Sequence, residues 1–287
     1  MAKAFRISFE NFKRWLTNPR IYVLFVLIYL MQDSMMIGSV RRFARDMNIP
    51  VAPWIYPFLP SDWYICMLEA LGAVFLFCDV PVINKGTPYV FIRSGQRAWI
   101  NGQILYIITA AFLYQFVFML TGILLLAPRL ELTLNWGKTL GTLAQTNMGY
   151  EKHGIGLSGA IVRQLTPIRA MFLSFGIRWM VTTLLGMFLL CINLFLPRIC
   201  GTILGGLVAL LHPLAINFSG TILFFLSPSS WTALQYVNIG GAQELGSVSI
   251  FPSLSYIWAV GIGAITILVV ICKWGFRKRS IYTLSTL

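Results

Sequence analysis

Residues 170–226 read AMFLSFGIRWMVTTLLGMFLLCINLFLPRICGTILGGLVALLHPLAINFSGTILFFL. Arg178, Arg198 and His212 are the only basic side chains in it, and no acidic one occurs. A helix needs about 20 apolar residues to cross a bilayer, so this run is far too long for one crossing. Pro197-Arg198-Ile199-Cys200 divides it into 170–196 and 201–226, a short Pro-bearing turn between two spans. The same criterion finds four more stretches, at 21–38, 63–83, 103–127 and 254–272. The fold class expected is therefore an all-α polytopic membrane protein with six transmembrane helices.

Composition agrees. The chain has 287 residues, of which 57% are hydrophobic and 11% charged, and its mean hydropathy is +0.76. A soluble domain carries about 25% charge, and a chain this poor in charge cannot clothe a water-facing surface. The net charge of +13, from 22 Lys and Arg against 9 Asp and Glu, flanks the spans and forms no basic stripe with interleaved stacking aromatics. Nucleic acid is thereby excluded as a partner and membrane lipid expected. Five cysteines without a CxxC read as small hydrophobes, so neither a disulfide framework nor a metal site is expected. The first apolar run ends in Gln32-Asp33-Ser34 with no small-x-small pattern, which argues against a cleavable signal peptide.

With the N-terminus inside, thirteen Lys and Arg fall on inner segments and eight on outer ones. This bias places both termini in the cytoplasm. Trp15, Trp99 and Trp274 then share one interface and Trp54, Trp63 and Trp231 the other. The outer loops are 39–62, 128–169 and 227–253. The length of 128–169 leaves open whether it packs as a cap or dips into the membrane.

Residues 1–20 form a separate unit. Phe5, Phe9, Phe12 and Leu16 recur at helical spacing on one narrow face, with Arg6, Glu10 and Lys13 on the flank. That pattern predicts an amphipathic helix lying in the membrane interface, ended by Asn18-Pro19. It reads either as an anchor or as an elbow leaning on the transmembrane domain at 21–287.

Residues 84–102, NKGTPYVFIRSGQRAWING, form a basic, aromatic inner loop behind Asp79-Val80-Pro81. The interfacial N-terminal helix, the six spans, Asp79-Val80-Pro81, the Phe91-Ile92-Arg93-Ser94-Gly95-Gln96-Arg97-x-Trp99 stretch and the close-set fourth and fifth spans together resemble the permease subunits of the ABC type-2 exporter superfamily. The resemblance covers nearly the whole chain as architecture. It implies that 84–102 is a coupling loop seated on a separate cytosolic ABC ATPase, with Arg93, Gln96, Arg97 and Trp99 at or near that contact. It further implies a second permease subunit, identical or merely similar. ATP and Mg would sit on the partner ATPase, with no cofactor in this chain, and the location would be a bacterial inner membrane. The cargo expected is amphipathic or hydrophobic, such as a peptide, lipid or drug. A secondary transporter driven by an ion gradient is the alternative, but it predicts internal repeats and midplane charges that the sequence does not display.

Asp33, Glu69, Asp79 and Arg178 lie within or at the edge of spans. A charge near the bilayer centre costs about 2.5–3.5 kcal/mol on insertion scales, so pairing is expected. Arg178, Glu69 and Asp33 all fall in the outer half, which leaves Glu69 or Asp33 as the partner of Arg178. Asp79 falls at the inner interface. Gly137-Lys138-Thr139 lacks the upstream Gly of a phosphate loop, because Leu132 stands there. His153 and His212 are the only histidines and form no catalytic set. No catalytic residue is expected, and ATP hydrolysis is assigned to a partner. Gly201-x-x-x-Gly205 and Ala259-x-x-x-Gly263 allow close helix approach. Asn217-Phe218-Ser219, a glycosylation acceptor in form, lies inside the fifth span.

Overall fold

The computed structural model describes residues 2–83, 87–146, 148–217, 221–239 and 251–277. Lys85 of the inner loop, Phe218-Ser219, residues 240–250 of the last outer loop, and Lys278 and Arg279 lie outside the described residues. Among those described, helices make the architecture and the only β pairing is two isolated bridges. In lipid the backbone must satisfy its own hydrogen bonds, and a helix does so within one segment.

Helix α1 (Ala2–Lys13) leads through a 3-10 turn to Asn18, whose side chain accepts from the Arg20 N–H and caps the next helix, with Pro19 at its first position. That helix, α2 (Pro19–Asp46), is continuous through a π turn at Asp33–Ile37. A buried 3-10 segment, Tyr56–Ser61, precedes α3 (Trp63–Phe77), which Asp62 caps. Then come α4 (Thr87–Ser94) and α5 (Gln96–Leu126), joined at Gly95 with φ +82°. Three short helices follow: α6 (Gly137–Gln145), α7 (Met148–His153) and α8 (Gly159–Gln164). The last described helices are α9 (Pro167–Phe195), α10 (Arg198–Asn217), α11 (Thr221–Leu226) and α12 (Leu254–Arg277).

Among the described residues, five helices are long and apolar enough to cross a membrane: α2, α5, α9, α10 and residues 254–275 of α12. The expected span at 63–83 is represented by α3, whose 15 residues measure roughly 22 Å against a hydrocarbon core of about 30 Å. Its helix stops early for a local reason. Pro81 has no N–H and disfavours helical backbone at Val80. The carbonyls of Val80 and Cys78 are taken instead by the Asn193 amide of α9, at 2.6 and 3.4 Å. Of the fifth expected span, 201–226, the described residues 201–217 and 221–226 are helical, in α10 and α11. The first runs past its expected end at 38 to Asp46, so Arg41, Arg42 and Arg45 stand on a helix and not in a loop.

Contacts sort the helix ends into two groups. At one end the start of α2 meets the segment after α3 (Arg20 to Asp79, 2.7 Å), α9 ends against Val80, and α5 begins against α1 and the last turns of α12. At the other, the start of α3 meets the 3-10 turn Ser229–Thr232, with the Cys66 thiol 3.1 Å from the Ser229 carbonyl. Here 128–169 forms a cap on the far part of α2. Val51 exchanges backbone hydrogen bonds with Arg129 and Glu131, Trp54 donates to the Thr133 carbonyl, and His153 lies 3.1 Å from Asp46. Central in the bundle is α9, with 67% of its apolar window buried, against 11% for 254–275. At Gly186 a Cβ would stand 2.6 Å from Ile107 and 3.0 Å from Phe77, so this glycine lets α3 and α5 close on α9.

Helix α1 lies on α5 at Gly102, where a Cβ would come within 2.7 Å of Ile7 and 3.1 Å of the Ala4 carbonyl. Gly102→Leu should lift α1 away. In a chain whose one cysteine replaces buried Ser8, maleimide labelling should be slow with Gly102 in place and at least roughly tenfold faster once Gly102→Leu is added; equal rates would refute this packing.

Candidate functional site

Polar chemistry collects in two places. The first is enclosed where α9, α3, α5 and the 3-10 segment before α3 converge. Arg178 is fully buried and Glu69 is 4% exposed. The guanidinium grips the carboxylate with two contacts, Nε to Oε1 at 2.8 Å and Nη2 to Oε2 at 2.7 Å. Its Nη1 donates to the Tyr56 carbonyl at 3.2 Å. The Gln115 amide donates to Glu69 Oε1 and to Thr182 Oγ1 at 2.8 and 2.7 Å, and accepts from the Tyr56 hydroxyl at 3.0 Å. Tyr114 donates to the Glu69 carbonyl at 2.9 Å. The guanidinium carbon lies 3.9 Å from the Tyr56 ring centre and 4.6 Å from that of Phe118.

Of the two partners the sequence leaves open for Arg178, the structure has Glu69. Asp33 instead pairs with Arg41 across the π turn of α2. The Arg178–Glu69 pair is neutral overall, and both carboxylate oxygens are engaged. Three donors occupy this buried carboxylate, two on Oε1 and one on Oε2, so the cluster acts as a polar bolt through the bundle. Beside it lies a cavity of only about 10 Å³, bordered by Cys66, Thr182, Ser229 and Thr232, on the scale of a single water. Beyond Ser229, the Ser230 hydroxyl meets His212 Nδ1 at 3.0 Å.

The second place is the end of the bundle where α1, α4 and the start of α5 meet. Arg93, Gln96 and Arg97 are exposed there. Trp99 is not: it is 2% exposed, and its backbone N–H donates to the Gly95 carbonyl in the first turn of α5. This side chain, expected at or near the contact, is packed where α1 and α4 meet the start of α5. The face expected on α1 is also divided. Phe5, Phe9 and Leu16 are 65%, 56% and 76% exposed, whereas Phe12 packs on Trp15 and Tyr106. Small and polar Ala4, Ser8 and Asn11 face inward, with Asn11 Nδ2 3.3 Å from Gln103 Oε1. Trp15 donates to the Tyr106 hydroxyl at 3.0 Å, and Lys3 donates to the Arg93 carbonyl at 3.4 Å. Asp79 is half-exposed and pairs with Arg20.

Sequence reasoning missed Gln103, Gln115 and Asn193. Each is an amide inside a long apolar helix, and that oddity was their signal. Thr139 of the GKT triplet donates to the Pro50 carbonyl at 2.6 Å, as part of the cap. Gly201 and Gly205 are used internally, against Asn193 and against Val74 and Leu189, whereas Gly263 faces open space. Among the described residues no group of three or more His, Cys, Asp and Glu side chains could hold a metal ion. No family model, curated protein or solved structure matches this chain.

Removing one member of a buried ion pair strands the other, at a cost of about 3–5 kcal/mol, while replacing both with apolar groups is far milder. Glu69→Leu and Arg178→Met should each lower the thermal unfolding midpoint in detergent sharply, and the double variant should recover most of the loss. Asp33→Asn at the part-exposed pair should change stability by no more than about 1 kcal/mol. A double variant worse than either single would contradict the bolt.

Proposed function

We propose that this chain is the membrane-spanning subunit of an exporter of the ABC type-2 kind, driven by a separate cytosolic ATPase. One observation carries the reading: two exposed arginines, Arg93 at the end of α4 and Arg97 in the first turn of the 31-residue helix α5, flank a single glycine, and α4 is tied to α1 through Lys3. A long helix packed along its length moves as a lever. Force applied to α4 by a closing ATPase pair would therefore reach the Gln115 cluster through α5, and α1 would travel with it through the Gly102 contact. The two ends of the bundle would alternate in access.

The grouping of helix ends supports six crossings. The short helix α3 starts beside Ser229 and is followed by Asp79 beside Arg20, so it runs between the same two ends as its longer neighbours. With α3 counted, six crossings would bring both termini to one side, and the Lys and Arg bias supports a cytoplasmic location for it. Short flanking segments and a locally thinned bilayer would accommodate the 15-residue helix. A second permease subunit, the same chain or a similar one, would complete the path. A bacterial inner membrane suits this design. The apolar interior suits an amphipathic or hydrophobic cargo, and an ion-coupled mechanism is disfavoured because Glu69 is already neutralised by Arg178.

Affinity purification of the tagged chain from its native host in mild detergent should bring down a stoichiometric soluble subunit with a phosphate-binding loop. Arg93→Glu with Arg97→Glu should release it while the chain stays monodisperse. Purification without any ATPase, together with gradient-driven flux in vesicles, would sink the proposal.

A further inference from the structure

Two separate grooves flank the α4–α5 junction, and they part the two exposed arginines. Arg93 borders the groove toward α1, together with Glu10, whose carboxylate is paired with Lys13. Arg97 borders the other, a groove of about 730 Å³ between the first turns of α5 and the last turns of α12. This second groove is bordered by Arg97 and Lys273, with the amides of Gln96 and Asn101 beside them and Val270 and Trp274 at its lip. Among the described residues no carboxylate borders it, and neither cation has an ion pair.

The position along α12 identifies what lies alongside. Lys273 stands roughly 28 Å from Leu254 along the helix, at about 1.5 Å per residue. A hydrocarbon core is about 30 Å thick, so Lys273 and Trp274 reach the headgroup level as the rest of α12 crosses. The groove also opens sideways onto a lipid-depth stripe. Ile267, Val270, Ile271 and Trp274 are 61%, 59%, 38% and 60% exposed along one side of the helix. An acyl chain lying on that stripe would bring its phosphate between Arg97 and Lys273. A soluble partner could reach the cations but not the stripe.

We infer that this groove holds the headgroup of an anionic phospholipid, with an acyl chain along the outer face of α12. The volume suits a small polar ligand, since ligand sites commonly measure about 300–1,000 Å³. The amides of Gln96 and Asn101 donate to phosphate or headgroup hydroxyls, and the two cations supply the selectivity for negative charge. The inference requires that the chain cross a membrane, and it stands whether or not an ATPase docks nearby.

The test is native mass spectrometry of the full chain titrated with phosphatidylglycerol or phosphatidylcholine of the same acyl chains. One phosphatidylglycerol per chain should be retained, with a preference of roughly twentyfold from two cations near an anionic headgroup. Arg97→Gln with Lys273→Gln should bring the preference close to unity, while Lys138→Gln with Arg163→Gln, at the other end, should leave it unchanged. In lipid nanodiscs, brominated phosphatidylglycerol should quench a fluorescence component that Trp274→Phe removes, and brominated phosphatidylcholine should quench it less. Equal binding of the two lipids, or an unchanged preference in the Arg97 and Lys273 variant, overturns the inference. So does loss of a co-purifying acidic protein from that variant with lipid binding intact, which would assign the groove to a protein. Release of the ATPase by Arg93→Glu alone leaves lipid selectivity untouched, so the two proposals fail separately.

Discussion

The two-pronged contact between Arg178 and Glu69 constrains everything around it. A guanidinium in an apolar interior has five donors to satisfy and no water to satisfy them. Glu69 of α3 takes two contacts, the Tyr56 carbonyl takes a third, and the Tyr56 and Phe118 rings cover the planar cation. Gln115 of α5 adds a third donor to the carboxylate, at Oε1. Four parts of the chain must therefore arrive at one depth and one rotation. Because half of this arrangement is worse than none, the cluster sets the register between α3, α5 and α9.

A second set of amides performs the matching task where the helices end. Helix termini leave carbonyls and N–H groups without intrahelical partners, and lipid offers none. Asn193 takes the carbonyls left where α3 stops, and Gln103 accepts from both Asn11 and the Val82 N–H. These bonds tie the segment after α3, helix α1 and the first turns of α5 into one block. Arg93 and Arg97 are carried on that block.

The N-terminal helix shows how far one pattern can be read. The helical spacing of Phe5, Phe9, Phe12 and Leu16 announced a helix with one apolar face, and three of the four, Phe5, Phe9 and Leu16, do point away from the protein. The side that binds the protein is the one with Ala4, Ser8 and Asn11, which hydropathy ranks as unremarkable. Close approach at Gly102 and an amide pair replace the hydrophobic contact that a soluble protein would use. Trp99 illustrates the converse, an aromatic near a basic loop that looked available and is packed inside.

What the sequence by itself determined is the helical class, the number of apolar stretches, their order and the sites where charge demanded a partner. Those follow from length and composition, because a backbone in hydrocarbon has few ways to satisfy itself and a charge there cannot stand alone. Tertiary structure alone decided that Arg178 meets Glu69 and not Asp33, that α3 stops at Phe77, that 128–169 is a cap, and that Gly201 and Gly205 are used inside. The physical reason lies in the solvent. In water, the apolar stripe of a helix marks its buried face; in lipid, buried and outward faces are both apolar, so rotation about the helix axis leaves no mark in hydropathy. Which side chains meet then depends on depth, rotation and close approach at particular glycines, and those exist only once the helices are packed.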